Sequence, residues 1–191
     1  MSSIKLPHAS GNSVSIAAPQ SNPASDRTLY LPSNADGTVL SNTTPGCILQ
    51  VVQTVDTTGV TTITSTSYVD AGSLSVNITP VSSSNKILIM ATTNCQVFRQ
   101  EDEATAGLRL LRGSSEIIEY PYAFVLEAET SSNSRVFYNL NHPATYLDSP
   151  SSTSQLTYKI QLKVYTDANT NRISYNQNTS KSTITAMEVA G

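Results

Sequence analysis

The chain has few of the residues on which most catalytic and metal-binding sites depend. It contains no tryptophan, two histidines and two cysteines in 191 residues. Only 13% of its residues are charged, about half the share that is usual in soluble domains. The net charge is −3 and no lysine- and arginine-rich run occurs, so we expect no nucleic-acid partner. No apolar run approaches the length of a transmembrane helix, so we expect no membrane insertion.

This scarcity also argues against catalysis. His8 and His142 are the two histidines, and no histidine and cysteine cluster has the spacing of a metal site. Neither a glycine-rich phosphate loop nor a nucleophile-elbow motif occurs. A serine hydrolase would have to use His142 as its base. We therefore expect no enzyme activity and no cofactor.

Acidic residues are the one chemically versatile group that clusters. The cluster members are Glu101, Asp102, Glu103, Glu116, Glu119, Glu127 and Glu129. Paired carboxylates can hydrolyse glycosidic bonds, but such enzymes usually add aromatic sugar platforms, and this chain lacks tryptophan. We interpret Glu101–Glu103 as a solvated loop, with a weak calcium site there as the alternative.

Residues that favour β-strands are abundant. Serine and threonine together make up about a quarter of the chain, and tyrosine occurs nine times. Valine, isoleucine and threonine favour pleated, half-buried strands, whereas disordered chains are rich in charge. Strand signals recur at short intervals from Cys47 onward. We predict an all-β fold for residues 46–191: an antiparallel β-sandwich, with a jelly roll as the first choice.

The clearest strand signal lies at Gln155–Tyr165, where apolar and polar residues alternate with a strict period of two. The apolar members, which we predict to face the core, are Leu156, Tyr158, Ile160, Leu162 and Val164. Lys159 and Lys163 are predicted to face away from it. This alternation predicts a strand with one buried face.

Three other segments give local predictions. The continuous apolar run Ile87–Ala91 predicts a central strand that is buried on both faces. The turn sequence at Arg112–Ser115 predicts a hairpin between the strands on either side of it. Tyr122–Thr130 is the one stretch in which a helical turn would fit.

The two cysteines and the N-terminus bear on the compartment. Cys47 and Cys95 lie in apolar, strand-like contexts, which favours buried free thiols over a disulfide. The segment Met1–His8 lacks the apolar region of a signal peptide. We therefore expect the protein to fold in a cytoplasm.

Residues 1–45 differ from the rest of the chain. Their short apolar pieces are separated by turn residues, and each piece is too short to be a stable strand alone. We predict an extended attachment arm, which must pack on its own domain, a sister subunit or a larger shell. Its predicted contact residues are Leu6, Val14, Ile16, Leu29, Leu31, Val39 and Leu40.

Four tyrosines are candidates for a second contact surface. They are Tyr120, Tyr122, Tyr138 and Tyr146. Tyrosine is enriched in subunit interfaces, which we favour here over a glycan-binding face.

Several phrases of the sequence resemble, in the same order, the virion surface proteins of tailed phages. The phrases are Ile48–Gln53, Thr64–Asp70, Leu74–Pro80, Ser84–Met90, Tyr146–Pro150, Thr157–Gln161 and Thr183–Ala190. The similar proteins are short tail-fibre and head-decoration types, common among marine and cyanobacterial phages, and an arm like residues 11–40 often precedes their domain. Residues 99–134 match no such phrase, so a target-specific surface would lie there.

The resemblance implies a structural virion protein that is made in the host cytoplasm and contacts other virion proteins of the head or the tail. The low charge, the threonine-rich strands and the arm favour a homotrimer, because closed symmetry is the usual solution for such surfaces. A module that binds a host surface glycan is the alternative, and a polysaccharide depolymerase is less favoured.

Overall fold

The computed structural model describes residues 3–7, 10–11, 13–17, 45–99, 104–126, 136–165 and 171–191. The chain divides into two compact units, Met1–Val39 and Leu40–Gly191. Of the predicted arm, only residues 3–7, 10–11, 13–17 and 45 are described.

The described residues of the first unit form one β-hairpin. Strand β1 (Ser3–Pro7) pairs antiparallel with β2 (Ser13–Ala17), with Ser3 opposite Ala17 and Pro7 opposite Ser13. Gly11 adopts a φ of 107° in the connection, a conformation that suits glycine. Two of the short apolar pieces of the arm are therefore paired with each other, with Leu6 opposite Val14.

The described residues of the second unit form ten strands and one short 3₁₀ turn at Gln177–Thr179. The strands are β3 (Ile48–Asp56), β4 (Thr61–Ile63), β5 (Val69–Ile78), β6 (Lys86–Arg99), β7 (Ala104–Arg112), β8 (Ser115–Leu126), β9 (Val136–Asp148), β10 (Leu156–Val164), β11 (Asn171–Tyr175) and β12 (Ser182–Val189). Every described pairing is antiparallel. The prediction of an all-β antiparallel fold is confirmed.

The strands form two sheets. One has the order β5-β10-β7-β8; the other has the order β3-β12-β6-β11-β4, with β9 on the free edge of β6. The pairs β7–β8, β6–β9, β5–β10 and β3–β12 are nested, as in one long antiparallel ribbon. A jelly roll requires nested pairing of this kind, and the jelly roll itself stays a prediction.

One hydrophobic core lies between the two sheets, with buried side chains from both. Tyr158, Ile160, Leu162 and Val164 of β10 are all at most 2% exposed, and Leu156 packs partly buried against them. Lys159 and Lys163 lie on the outer face, where they pair with Asp70 and Glu119. The predicted orientation of this strand is confirmed.

The prediction that Ile87–Ala91 is buried on both faces is wrong. Ile87, Ile89 and Ala91 are buried, but Leu88 is half-buried and Met90 is 45% exposed. The reason is that a two-layer sandwich covers only the inner face of each antiparallel sheet. The apolar residues on the outer face of β6 therefore need another explanation.

The hairpin at Arg112–Ser115 is confirmed by the β7–β8 pairing, with Gly113 at a φ of 61°. The helical turn is wrong for residues 122–126, which belong to β8. Strand β9 runs through Pro143, which lacks a backbone N–H. Proline is tolerated there because β9 is an edge strand among the described residues.

The cysteines are both free thiols. Cys95 is buried, and its burial raises the pKa of the thiol. Cys47 is half-buried, so the expectation of a buried thiol holds for Cys95 alone.

Candidate functional site

Two buried carboxylates, Asp56 and Glu188, each accept several hydrogen bonds from the protein. Asp56 is 1% exposed and accepts hydrogen bonds from the Tyr175 hydroxyl (2.7 Å), from the Thr58 backbone N–H (2.8 Å) and from Ser73 (3.0 Å). Gly72 closes over this cluster at a φ of 55°, and a Cβ atom there would lie 2.7 Å from Asp56 Oδ2. Both oxygens of the Asp56 carboxylate already accept hydrogen bonds from the protein, and Gly72 leaves no space beside it for another group. The role of this carboxylate is therefore structural.

Glu188 has the same character. It is fully buried and accepts hydrogen bonds from Asn85 Nδ2 (2.6 Å), Gln50 Nε2 (2.5 Å) and the Val81 N–H (2.7 Å). Asn85 in turn accepts a hydrogen bond from the Gly191 N–H. The network links β3, β12 and the loop before β6. It stabilises the fold because burying any of these polar groups without its hydrogen-bond partner would cost free energy.

These two carboxylates predict acid sensitivity. Burial alone would raise the pKa of each, but the hydrogen bonds outweigh it: they hold the pKa of Asp56 at about 2 and that of Glu188 below its usual range. A group with a lowered pKa in the folded state stabilises the fold above its unfolded pKa and loses that contribution as the pH falls. We expect Asp56 alone to account for about 2 kcal/mol of unfolding free energy lost between about pH 5 and pH 2.

Urea unfolding at a series of pH values measures this loss. Glu116→Gln is the control, because Glu116 is exposed and bonded only to Arg109 among the described residues. This variant controls for the general effect of removing one negative charge from the surface. An unfolding free energy that stays constant from pH 5 to pH 2.5 would contradict the assignment.

His142, the candidate base of a hydrolase, lies edge-on between Tyr120 and Phe124, with ring centroids 4.9 and 5.5 Å away. Burial lowers the pKa of its imidazole. Its Nδ1 atom is buried and has no hydrogen-bond partner among the described residues. No serine is bonded to the ring there, so its surroundings are those of a packed core side chain.

The acidic candidates are only partly described. Glu116 forms an ion pair with Arg109 at 3.0 Å. Glu119 accepts a hydrogen bond from the Tyr68 hydroxyl at 2.6 Å, and the Lys163 Nζ atom lies 3.7 Å from the same carboxylate. Glu101–Glu103, Glu127 and Glu129 lie outside the described residues. No group of three or more metal-ligating side chains occurs within the described ranges.

The four candidate tyrosines have different environments. Tyr120 and Tyr146 are partly buried against the core. Tyr122 is 69% exposed and stacks on Tyr165 with the ring centroids 5.4 Å apart, and Tyr138 is 54% exposed. They are therefore divided between the core and the surface.

The predicted arm contacts are described at three positions. Leu6 lies in β1 and is 53% exposed, and Val14 and Ile16 lie in β2. Leu29, Leu31, Val39 and Leu40 lie outside the described residues. No helix in the described part of the chain is long and apolar enough to cross a membrane.

The most unusual surface is the outer face of the sheet that contains β6. Residues directly opposite each other in antiparallel strands share a face, and Val51, Met187, Leu88 and Leu147 are opposite in turn across β3, β12, β6 and β9. Two further cross-strand rows follow. The three rows, which we name the uncharged face, are Val51, Met187, Leu88, Leu147; Gln53, Thr185, Met90, Thr145; and Val55, Thr183, Thr92, Pro143.

The uncharged face is open and partly apolar. Val51 is 56% exposed, Leu147 48%, Val55 47% and Met90 45%. Isolated exposed apolar residues are common, but a contiguous patch marks an interaction surface. The apolar run in β6 was the sequence signal of this face, although we interpreted it as a strand buried on both faces inside the domain.

Comparisons with known proteins add little. No protein-family model and no curated protein matches the sequence. Among solved structures, dimeric latent PorU from Porphyromonas gingivalis is 9% identical with a TM-score of 0.35, covering 76% of this chain and 13% of that one. The VP2 subviral particle of infectious bursal disease virus is 11% identical with a TM-score of 0.31, covering 74% of this chain and 37% of that one. The chain thus spans much less than two thirds of either protein, and likenesses this distant carry no conclusion about function.

Proposed function

We propose that the protein is a structural surface protein of a tailed-phage virion, a short tail fibre or a capsid decoration protein that assembles as a homotrimer. The observation that carries the proposal is the uncharged face, twelve side chains on four strands without a single charge. The resemblance of the sequence to phage surface proteins supports it. The nested antiparallel pairing supports it by analogy of fold, since viral capsid domains include jelly rolls.

The chemistry of the face favours a second copy of the chain as its partner. A partner that is steered by charge needs complementary charges, and this face offers none. Turned toward a three-fold axis, the uncharged faces of three copies meet without like-charge repulsion. Burying the uncharged face removes apolar surface from water, which is favourable. It removes no charged side chain of this face from water, so the free-energy cost of ion desolvation is small. Closed symmetry then buries the same surface of every copy.

The size of the face fits part of such an interface. Strands about 4.8 Å apart and rows about 7 Å apart give it sides of roughly 20 Å. A standard interface takes about 800 Å² of accessible surface from each partner. The face therefore supplies a large part of one interface, and residues 1–45 are proposed to supply further contacts with the particle.

Removing the arm should separate attachment from folding. In the described part of the chain, the buried hydrophobic residues all come from the sequence range Ile63–Ala190. A protein that lacks residues 1–45 keeps all of them and should still fold as a β-sandwich. We expect it to lose binding to phage particles, which a pull-down with purified particles that lack the protein measures against the full-length chain. Far-ultraviolet circular dichroism checks that the shortened protein is folded.

Truncated protein that decorates particles at full-length occupancy would assign attachment to the sandwich instead. Truncated protein that loses particle binding assigns attachment to residues 1–45, whether or not it also binds a host surface glycan. Imaging of labelled protein on the particle then distinguishes the head from the tail.

A further inference from the structure

A polar cleft lies beyond the uncharged face, further along β6. Strand β12 pairs with residues 86–92 of β6 and β11 pairs with residues 95–99, so the ladder on that side is interrupted at Thr93 and Asn94. The turn at Asn176–Ser180 joins β11 to β12 at this interruption, and the cleft lies beside it. Its volume is about 170 Å³. The lining residues are Asn94, Cys95, Asn139, Leu140, Asn141, Gln177, Asn178 and Ser180.

The lining is rich in one functional group. Five of its eight residues carry a primary amide, one carries a hydroxyl, and none is charged. A primary amide offers two donor hydrogens and an acceptor oxygen at once, which matches the hydroxyl groups of a sugar. The Asn141 side chain makes no hydrogen bond to any described residue. Asn139 Oδ1 accepts a hydrogen bond from Gln96 Nε2 at 3.0 Å, so the Asn139 Nδ2 group remains able to donate to a ligand in the cleft.

The wall of the cleft is held in an uncommon backbone conformation. Asn176, Asn178 and Thr179 have φ values of 52°, 56° and 62°, and left-handed backbone is a clear outlier for a β-branched residue such as Thr179. The turn is fixed by the hydrogen bonds from Asn176 N–H to the Asn94 carbonyl (2.9 Å) and from Ser182 Oγ to Asn176 Oδ1 (2.8 Å). Strain that the surrounding structure maintains is often found where a ligand is bound.

An aromatic side chain continues the same surface. On the outer face of β9, Phe137 follows Asn141 and Asn139 at intervals of two residues, about 7 Å each. It is 52% exposed and packs against Phe98, with ring centroids 4.9 Å apart. Ligand sites commonly combine an aromatic wall with a few convergent polar groups.

We propose that this cleft binds a neutral glycan, with one sugar unit among the amide side chains and its neighbour against Phe137. The amides supply direction through hydrogen bonds, and the aromatic ring supplies apolar contact. The residues that line the cleft itself carry no charge and offer no counter-ion to an anionic sugar; the charge beside the aromatic pair is the Arg172 guanidinium, 4.2 Å from the Phe98 ring centroid. The uncharged face ends at the Thr92–Pro143 row, and the cleft begins at the next row, where Asn94 lies opposite Asn141.

Side-chain amide NMR tests the proposal on the full-length, ¹⁵N-labelled protein. The probes are glucose, galactose, mannose, N-acetylglucosamine and disaccharides of each, with N-acetylneuraminic acid as the anionic comparison. We expect at least one neutral sugar to shift the amide resonances of Asn141 and Asn178 in a saturable manner. Asn141→Ala and Asn178→Gly should each weaken that binding up to about tenfold, the loss of one hydrogen bond.

The variants separate binding from folding. Glycine accepts the left-handed backbone of Asn178 without strain, so Asn178→Gly removes the amide and keeps the turn. Asn77→Ala removes an exposed amide from β5 on the other sheet and should leave binding unchanged. The proposal is overturned if no neutral sugar shifts these resonances at tens of millimolar, if N-acetylneuraminic acid alone binds, or if Asn77→Ala weakens binding as much as the cleft variants.

Discussion

Replacing Ile160 with aspartate should abolish folding. Ile160 is fully buried in the middle of β10, between β5 and β7, and lies opposite Leu110. Losing a buried isoleucine side chain costs about 2–5 kcal/mol, and an unpaired carboxylate at the same place adds several kcal/mol. Domains of this size have about 5–15 kcal/mol of stability in total. Circular dichroism and thermal unfolding of the purified variant measure the result.

The neighbouring residue is the matched control. Lys159 lies on the outer face of the same strand, where its Nζ atom is 2.9 Å from Asp70. Lys159→Asp removes that exposed ion pair and adds a like charge, and exposed pairs contribute about 1 kcal/mol or less. A cooperative transition close to that of the wild type is expected. Equal losses at the two positions would mean that the register of β10 is wrong.

The second large effect concerns assembly. Met90 and Leu147 lie in adjacent rows of the uncharged face and are each about half exposed. Lysine at both positions should leave the single chain folded, because both side chains reach solvent. In the proposed trimer the same lysines would be buried facing other copies, and each unpaired buried charge costs several kcal/mol. We expect the dissociation constant to rise by about a thousandfold or more.

A charge placed elsewhere controls for the added charge itself. Val60 is 51% exposed and lies before β4, outside the uncharged face. Val60→Lys should leave the oligomeric state unchanged. Dissociation by this variant as well would indicate a general charge effect rather than an interface at the uncharged face.

Local patterns predicted the parts of the fold that depend on neighbouring residues. The alternation at Leu156–Val164 identified the inner face of β10, and the turn at Arg112–Ser115 identified a hairpin, because both depend on residues close together in the chain. Burial of Ile87–Ala91 on both faces was wrong, because an apolar outer face looks the same in sequence as a second buried face. Only the position of β6 in the sheet tells them apart.

The buried polar clusters could not be predicted from sequence patterns. Tyr175 bonds Asp56 across 119 residues and Asn85 bonds Glu188 across 103, so their partners depend on the strand order. In the sequence, Asp56 and Glu188 look like ordinary surface acids.

The cleft was missed for the same reason. Its lining comes from three segments, β6, β9 and the turn before β12, which only the sheet brings together. The spacing of Asn139 and Asn141, two residues apart on one strand face, was the available signal. It gains meaning only once Asn94 is known to lie opposite.

The most direct test of the proposed assembly is the native mass of the full-length protein at micromolar concentration, measured by native mass spectrometry or light scattering. A trimer has a mass of about 61 kDa, three times the chain mass of 20.4 kDa. The account predicts this mass for the wild type and for Val60→Lys, and a folded 20.4 kDa monomer for the double variant Met90→Lys, Leu147→Lys. A monomeric wild type, or a double variant that keeps the trimer mass, would contradict it.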